Sequence, residues 1–237
     1  MQEISSSKDL FEELCFYLQL DREIVQKKLE QGTFLLADEW RKKNPQTPAE
    51  IRSFYCKTEF YIFDLTQWHL LSNVRHQTKR IVKFCRQADL HRLIDYGCGI
   101  GEEGIALAEA GFDVTLADVP GKTFDFAKWR IKQHRLKVRF IEVENDTPLQ
   151  EIYDGIICLE VLEHLWDPYN TLKHFYDHLA EDGYLFITAT FVHSPTHPMH
   201  LPKNNRYQGE LPKVMNMLGF EKVGFGPMIF RKRALTT

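Results

Sequence analysis

From Leu10 to about residue 90, apolar residues recur every three or four positions with no alternating strand pattern between them, which predicts a helical region. Leu10, Phe11, Leu14, Cys15 and Leu18 form the first stripe, with Ser7 or Asp9 placed to cap it. A second helix is expected to open at Asp21 and close near Gly32, and a third to run over residues 34–43. The stretch Asn44-Pro45-Gln46-Thr47-Pro48 breaks the pattern, and Thr47 is the expected cap of a further helix beginning Ala49-Glu50-Ile51. An aromatic run follows: Phe54, Tyr55, Phe60, Tyr61, Phe63 and Trp68. Aromatics at helical spacing are mostly core. The competing reading makes them the wall of a substrate pocket.

From Leu90 the texture changes to short apolar runs alternating with amphipathic segments, the pattern of βαβ units and a parallel sheet. Strands are expected over residues 92–96, 113–117, 137–143, 155–159 and 184–189, with helices over 103–110, 123–134 and 168–179 between them. After a helix over 211–218, residues 219–232 read as two further strands turning at Gly226-Pro227. The expected fold is α/β, a seven-stranded, mostly parallel, Rossmann-like sheet over residues 90–237. Residues 1–89 are expected to form a helical cap that selects the substrate.

At 237 residues the chain suits one domain with an added cap. An apolar share of 43% and a charged share of 27% exclude disordered and disulfide-framework classes. The net charge of −3 is spread evenly: residues 1–90 carry 14 basic and 13 acidic groups, residues 91–237 carry 16 and 20. The basic clusters Arg41-Lys42-Lys43 and Arg231-Lys232-Arg233 are too short for a nucleic-acid stripe, so no nucleic-acid partner is expected and small molecules are favoured as substrates. No run approaches a membrane span and the acidic N-terminus lacks a secretion signal, which makes a cytoplasmic location the expectation. The cysteines at 15, 56, 85, 98 and 158 are odd in number and widely spaced, as expected for reduced thiols. Oligomeric state is not legible.

The first expected strand ends in Asp95-Tyr96-Gly97-Cys98-Gly99-Ile100-Gly101 and leads directly into a helix. Alternate glycines let the backbone turn sharply and approach a ligand closely. Their spacing is not that of a dinucleotide fingerprint, and Glu102 and Glu103 at the helix start would repel a phosphate. Asp118, at the end of the second strand, can accept both hydroxyls of a ribose. An acidic glycine loop with a ribose-reading acid describes a nucleoside bearing a cationic amino-acid tail.

After the fourth strand comes Glu160-Val161-Leu162-Glu163-His164. In a helical turn Glu160, Glu163 and His164 would share one face, and two carboxylates with an imidazole suit a divalent cation such as Mg²⁺, Mn²⁺, Fe²⁺ or Zn²⁺. A proline-stiffened loop carrying His193, His197 and His200 follows the fifth strand. In a metal-free site His164 or His200 would serve as general base.

Residues 92–190 resemble the core of the class I S-adenosylmethionine-dependent methyltransferases, with Asp95, Gly97, Gly99 and Gly101 matching the first motif, Asp118 the ribose-binding acid and Gly183 the glycine before the fifth strand. The resemblance implies that the loop contacts the methionyl part of S-adenosylmethionine and that the turn Glu144-Asn145-Asp146 lies beside adenine. Cys98, Val119, Asn145 and Leu159 are implied as further cofactor contacts. Residues 158–168 resemble the ubiquinone-biosynthesis O-methyltransferases. The Glu-x-x-Glu-His pattern resembles metal-dependent small-RNA 2′-O-methyltransferases, which implies a metal set of Glu160, Glu163, His164 and one loop histidine, here His200. The near-neutral charge separates the chain from those RNA-modifying relatives. The function expected is O-methylation of a small molecule with catalytic Glu160, His164 and His200; Tyr55, Tyr61, Trp68 and His69 are candidate acceptor contacts. A nitrogen or carbon acceptor, an RNA acceptor and a non-catalytic cofactor-binding protein are the alternatives.

Overall fold

In the computed structural model, which describes residues 7–71, 74–145, 148–224 and 227–233, the alternation after residue 90 becomes one seven-stranded sheet. The strands β1 (Arg92–Tyr96), β2 (Asp113–Asp118), β3 (Val138–Glu142), β4 (Tyr153–Leu159), β5 (Leu179–Thr188), β6 (Phe220–Gly224) and β7 (Met228–Lys232) stand in the order β3-β2-β1-β4-β5-β7-β6. Pairings from β3 across to β5 are parallel, and β7 is antiparallel to both β5 and β6. The chain reverses its direction of winding between β1 and β4, so the crevice beyond their carboxyl ends is where such a sheet binds ligands.

The sheet is covered on both faces, by helices α5 (Val74–Gln87), α6 (Glu102–Glu109), α7 (Lys122–Gln133), α8 (Pro168–His178) and α9 (Leu211–Met217). Ile94, Ile156 and Ile187 belong to one core with Phe175, and Leu93, Ile157 and Phe186 to the other with Ile105 and Ile131. β5 begins five residues earlier than expected. Leu179 pairs with Tyr153, the register then shifts, and pairing resumes at Tyr184 with Gly155. Gly183 sits inside this irregularity rather than ahead of the strand; a side chain there would press on the Ala180 and Asp154 carbonyls at 2.9 and 3.1 Å.

The N-terminal third folds as α1 (Ser7–Leu18), α2 (Arg22–Lys43), α3 (Pro48–Lys57) and α4 (Tyr61–Leu71). The two helices expected between Asp21 and Lys43 are one. Gly32 does not end the first because its role is close packing: a Cβ there would lie 3.0 Å from the Asp64 nitrogen and 3.2 Å from the Phe63 carbonyl carbon. Asn44, left-handed at φ 44°, ends α2 instead, and Thr47 with Glu50 closes a capping box on α3. The expected caps Ser7 and Asp9 have side chains outside the described ones, and the turn residue Gly226 also falls outside.

The N-terminal helices bear on the sheet at two places. Leu10, Leu14, Val25, Leu29, Ile62 and Phe63 pack with Ile100 of the glycine loop and Phe126 of α7. Leu36, Trp40, Ile51 and Phe54 pack with Met199 and Leu201 of the segment after β5. All five cysteines are unpaired. No helix among the described residues is long and apolar enough to cross a membrane.

Candidate active site

Two cavities open at the carboxyl ends of β1, β2 and β4. The smaller, about 110 Å³, is lined by Tyr96, Asp118, Val119, Val143, Asn145 and Thr171 from the sheet side and by Pro48, Ile51, Arg52 and Tyr55 from α3. The larger, about 660 Å³, runs between α4 and the segment after β5, over Asp95, Cys98, Gly99, Glu103 and Leu159. Tyr61, Gly97, Glu160 and His164 line both. They mark the junction of the two cavities.

The loop between β1 and α6 is shaped by backbone that only glycine adopts freely: Gly97, Gly99 and Gly101 have φ of 71°, 54° and 79°. A Cβ on Gly97 would stand 2.4 Å from Val161 Cγ2, and one on Gly99 2.6 Å from Leu65 Cδ1. Gly101 lines neither cavity. It starts α6 against Ala127 of α7, 3.2 Å from where its Cβ would be.

The carboxylates around the loop divide into two groups. Asp95 accepts a hydrogen bond from the Gly104 amide at 3.0 Å, and burial, then the nearby Glu103, pushes its pKa well above the carboxylate range. Glu103 takes the Thr78 hydroxyl of α5 at 3.0 Å and faces the larger cavity. Glu102 turns away to a buried ion pair with Arg130 at 2.9 Å. Of the two carboxylates expected to repel a phosphate, Glu103 thus lines the cavity and Glu102 is paired away from it. Asp118 accepts the amides of Gly99 at 2.6 Å and Val119 at 2.7 Å, which limits a burial-driven rise to about 6.

Glu160, Glu163 and His164 do not share a helical face. Glu160 is left-handed at φ 51°, its amide tied to the Thr188 carbonyl at 2.8 Å, and a single 3₁₀ turn carries Leu162–His164. The turn is pinned to the later segment: the Leu201 amide and the Asn204 side-chain amide both donate to the Glu163 carbonyl. This brings His200 to the site. Donor atoms of Glu163, His164 and His200 lie within 4.8 Å of one another; Glu160 is not in that group but is close enough to act on Glu163, and it lines both cavities. His193 is spent on the His200 carbonyl at 2.8 Å, and His197 lines the larger cavity.

The chemistry of these three groups fits a cation. Glu163 is fully buried; its Oε1 accepts the Thr190 amide at 2.9 Å while Oε2 has no hydrogen-bond partner. Burial, then the Glu160 charge, pushes Glu163 up to about 9. Burial, then His200, pulls His164 down to about 3. His164 Nδ1 lies 2.9 Å from the Tyr55 hydroxyl and 3.4 Å from the Met199 carbonyl, and His200 Nδ1 lies 3.0 Å from the Val192 carbonyl. Each ring therefore keeps Nε2 for a ligand, the outer hydrogen bond fixing its orientation as in metal-binding histidines.

Of the candidate cofactor residues, Asp118, Val119 and Asn145 line the smaller cavity, Asp95, Cys98, Gly99 and Leu159 line the larger, and Gly97 lines both. Asp146 lies outside the described residues. Sequence reasoning did not single out Asp64, which lines the larger cavity; a carboxylate amid Tyr61, Ile62, Phe63 and Leu65 was its available signal. Arg130 left no comparable signal, since its partners lie 28 and 117 positions away.

Comparison with known proteins agrees with this geometry. Residues 69–222 match the family model described as a methyltransferase domain. Over 103 residues, 41% of this chain and 40% of the relative, the sequence is 30% identical to a ubiquinone biosynthesis O-methyltransferase of Rickettsia typhi. The chain thus matches about two fifths of that relative's length. The fold is similar to that of the N-methyltransferase NodS from Bradyrhizobium japonicum, solved with S-adenosylhomocysteine (TM-score 0.54, 17% identity, 71% of this chain and 92% of that one). It is likewise similar to the magnesium protoporphyrin IX methyltransferase of Synechocystis PCC 6803 (TM-score 0.52, 19% identity, 83% and 90%).

Proposed function

Since the chain belongs to the methyltransferase domain family, we propose that it moves the methyl group of S-adenosylmethionine to an oxygen of a small-molecule acceptor, beside a divalent cation held by Glu163, His164 and His200. The meeting of two cavities at Tyr61, Gly97, Glu160 and His164 carries this reading. The side chains of the smaller cavity suit a nucleoside, with Asp118 for the ribose hydroxyls and Val119 and Asn145 beside the base. Gly97 and Gly99 leave room for the methionyl tail, whose ammonium finds Asp95 and Glu103.

S-adenosylmethionine supplies a methyl carbon already activated by its sulfonium, so the protein's contribution is alignment and removal of one proton. The acceptor oxygen forms its bond to that carbon as the carbon–sulfur bond breaks, the electron pair staying on sulfur. Glu160, at the junction, takes the hydroxyl proton. A divalent cation, when bound, favours the ionised hydroxyl. Tyr55 orients His164, and α3 and α4 close the site from water and select the acceptor through Tyr61, Trp68 and His69.

Chelation followed by metal add-back tests the reading. Turnover with labelled S-adenosylmethionine should disappear and return, and Glu163→Gln should abolish it while leaving S-adenosylmethionine affinity within about twofold, below the 1.4 kcal/mol of a decade. Full activity in chelator would remove the cation and shift the proton to His200.

A further inference from the structure

The larger cavity is lopsided in charge. Asp64, Asp95, Glu103 and Glu160 line it; its basic side chains are the imidazoles of His69, His164, His197 and His200, and among the described residues neither lysine nor arginine lines it. Three of these carboxylates have work in the proposed reaction: Asp95 and Glu103 lie by the glycine loop and Glu160 at the junction. Asp64 has none. It lies on α4, and among the described residues its one hydrogen-bonded side-chain partner is Thr33, whose Oγ1 donates to it at 2.5 Å. Burial raises its pKa, with Thr33 and His197 acting the other way. A carboxylate sunk in a cavity without a full counter-charge is costly unless a ligand supplies one.

The same helix offers two further features that point to a ligand. Tyr61 and Trp68, three residues before Asp64 and four after it, share its helix face and line the same cavity; aromatic faces beside a carboxylate are how proteins receive ammonium groups. His69, more than nine-tenths buried, also lines this cavity and stands edge-on to Trp68 at 4.9 Å, extending the aromatic wall on this side.

We propose that the methyl acceptor is a hydroxylated amine whose ammonium group is received by Asp64 between Tyr61 and Trp68. The proposal rests on the methyl-transfer reading for the identity of the reacting hydroxyl, but not for the charge preference of the cavity. An acceptor bearing phosphate or carboxylate at the same place would meet Asp64, with His197 beside it and, among the described residues, neither lysine nor arginine lining the cavity to receive it.

Three catechols that differ in side-chain charge test this: dopamine, 4-ethylcatechol and 3,4-dihydroxyphenylacetate. Each is titrated into the full chain with S-adenosylhomocysteine and Mn²⁺ and then offered with labelled S-adenosylmethionine. Dopamine should bind about tenfold more tightly than 4-ethylcatechol, with the acid weakest, a decade per 1.4 kcal/mol. Asp64→Asn should remove the dopamine advantage while leaving 4-ethylcatechol unchanged, and Asp64→Glu should retain it. Equal affinities, tighter binding of the acid, no binding of any probe, or an advantage that survives Asp64→Asn overturns the proposal. Charge-selective binding without methylation keeps Asp64 in this role and refutes the reaction instead; methylation without charge selectivity does the reverse.

Discussion

Arg130→Met should uncouple the N-terminal helices from the glycine loop. The guanidinium is fully buried and makes three bonds: to Glu13 Oε2 of α1 at 2.6 Å, to the Ile100 carbonyl at 2.9 Å and to Glu102 Oε2 at 2.9 Å. Methionine fills similar volume but leaves Glu102 buried without its cation and the Ile100 carbonyl without a donor. Removing one partner of a buried pair costs about 3–5 kcal/mol, a large part of the 5–15 kcal/mol that holds a typical domain. Glu13→Gln keeps the Glu102 pair and should cost less, about 1.5–3 kcal/mol for one hydrogen bond to a charged group. Urea unfolding at pH 7 measures both, and calorimetry on the folded fraction measures S-adenosylmethionine affinity. A loss below about 1 kcal/mol for Arg130→Met, with unchanged affinity, would refute the coupling.

The same network has a pH window. His134, 2.6 Å from Glu13 Oε1, is raised above 6.5 chiefly by that hydrogen bond, so its contribution is present below 6.5 and is lost as pH rises through the raised value. Glu13 is held below 4.5: burial pushes it up, but His134 and Arg130 outweigh this. Its contribution is present above 4.5 and fades as pH falls through the lowered value. The attachment of α1 is therefore firmest between the two.

Three further outcomes follow from the site. Asp118 titrates near 6, so S-adenosylmethionine affinity should decline as pH falls from 8 to 5 and the ribose loses its ionised acceptor; a flat wild-type profile, or one that persists in Asp118→Asn, would contradict the ribose role. For stability the sign is opposite, since a raised carboxyl group loses folded-state stability as pH rises from 3.8 to about 6. Tyr55→Phe removes the hydroxyl at His164 Nδ1 and should weaken metal affinity about 10- to 100-fold, read by metal titration; unchanged affinity would show that the Met199 carbonyl suffices. Gly97→Ala meets Val161 at 2.4 Å in a left-handed conformation that alone costs about 1–2 kcal/mol. Adding Val161→Ala should recover part of the loss in urea unfolding, and no recovery would place the clash elsewhere.

Most of the sheet was legible because β1, β2, β4 and β5 are short apolar runs that alternate with helices, a local pattern. Gly32 misled because sequence shows a glycine's freedom but not its neighbours, and here the neighbour is the α4 backbone. The glycine loop and Asp118 were legible as residue types at strand ends. The Glu163–His164–His200 group was legible in composition but not in shape: Glu160's left-handed turn depends on the Thr188 carbonyl of β5, and the approach of His200 on bonds from Leu201 and Asn204. Asp64 had only the weak signal of a carboxylate within an apolar run, and Arg130 depends on contacts between helices that no local pattern records.

Calorimetric titration of the full chain with S-adenosylmethionine tests the central claim most directly. The account predicts saturable binding of one molecule per chain, weakened at least tenfold, or 1.4 kcal/mol, by Asp118→Ala. Absence of saturable binding up to millimolar concentration, or binding indifferent to Asp118, would contradict it.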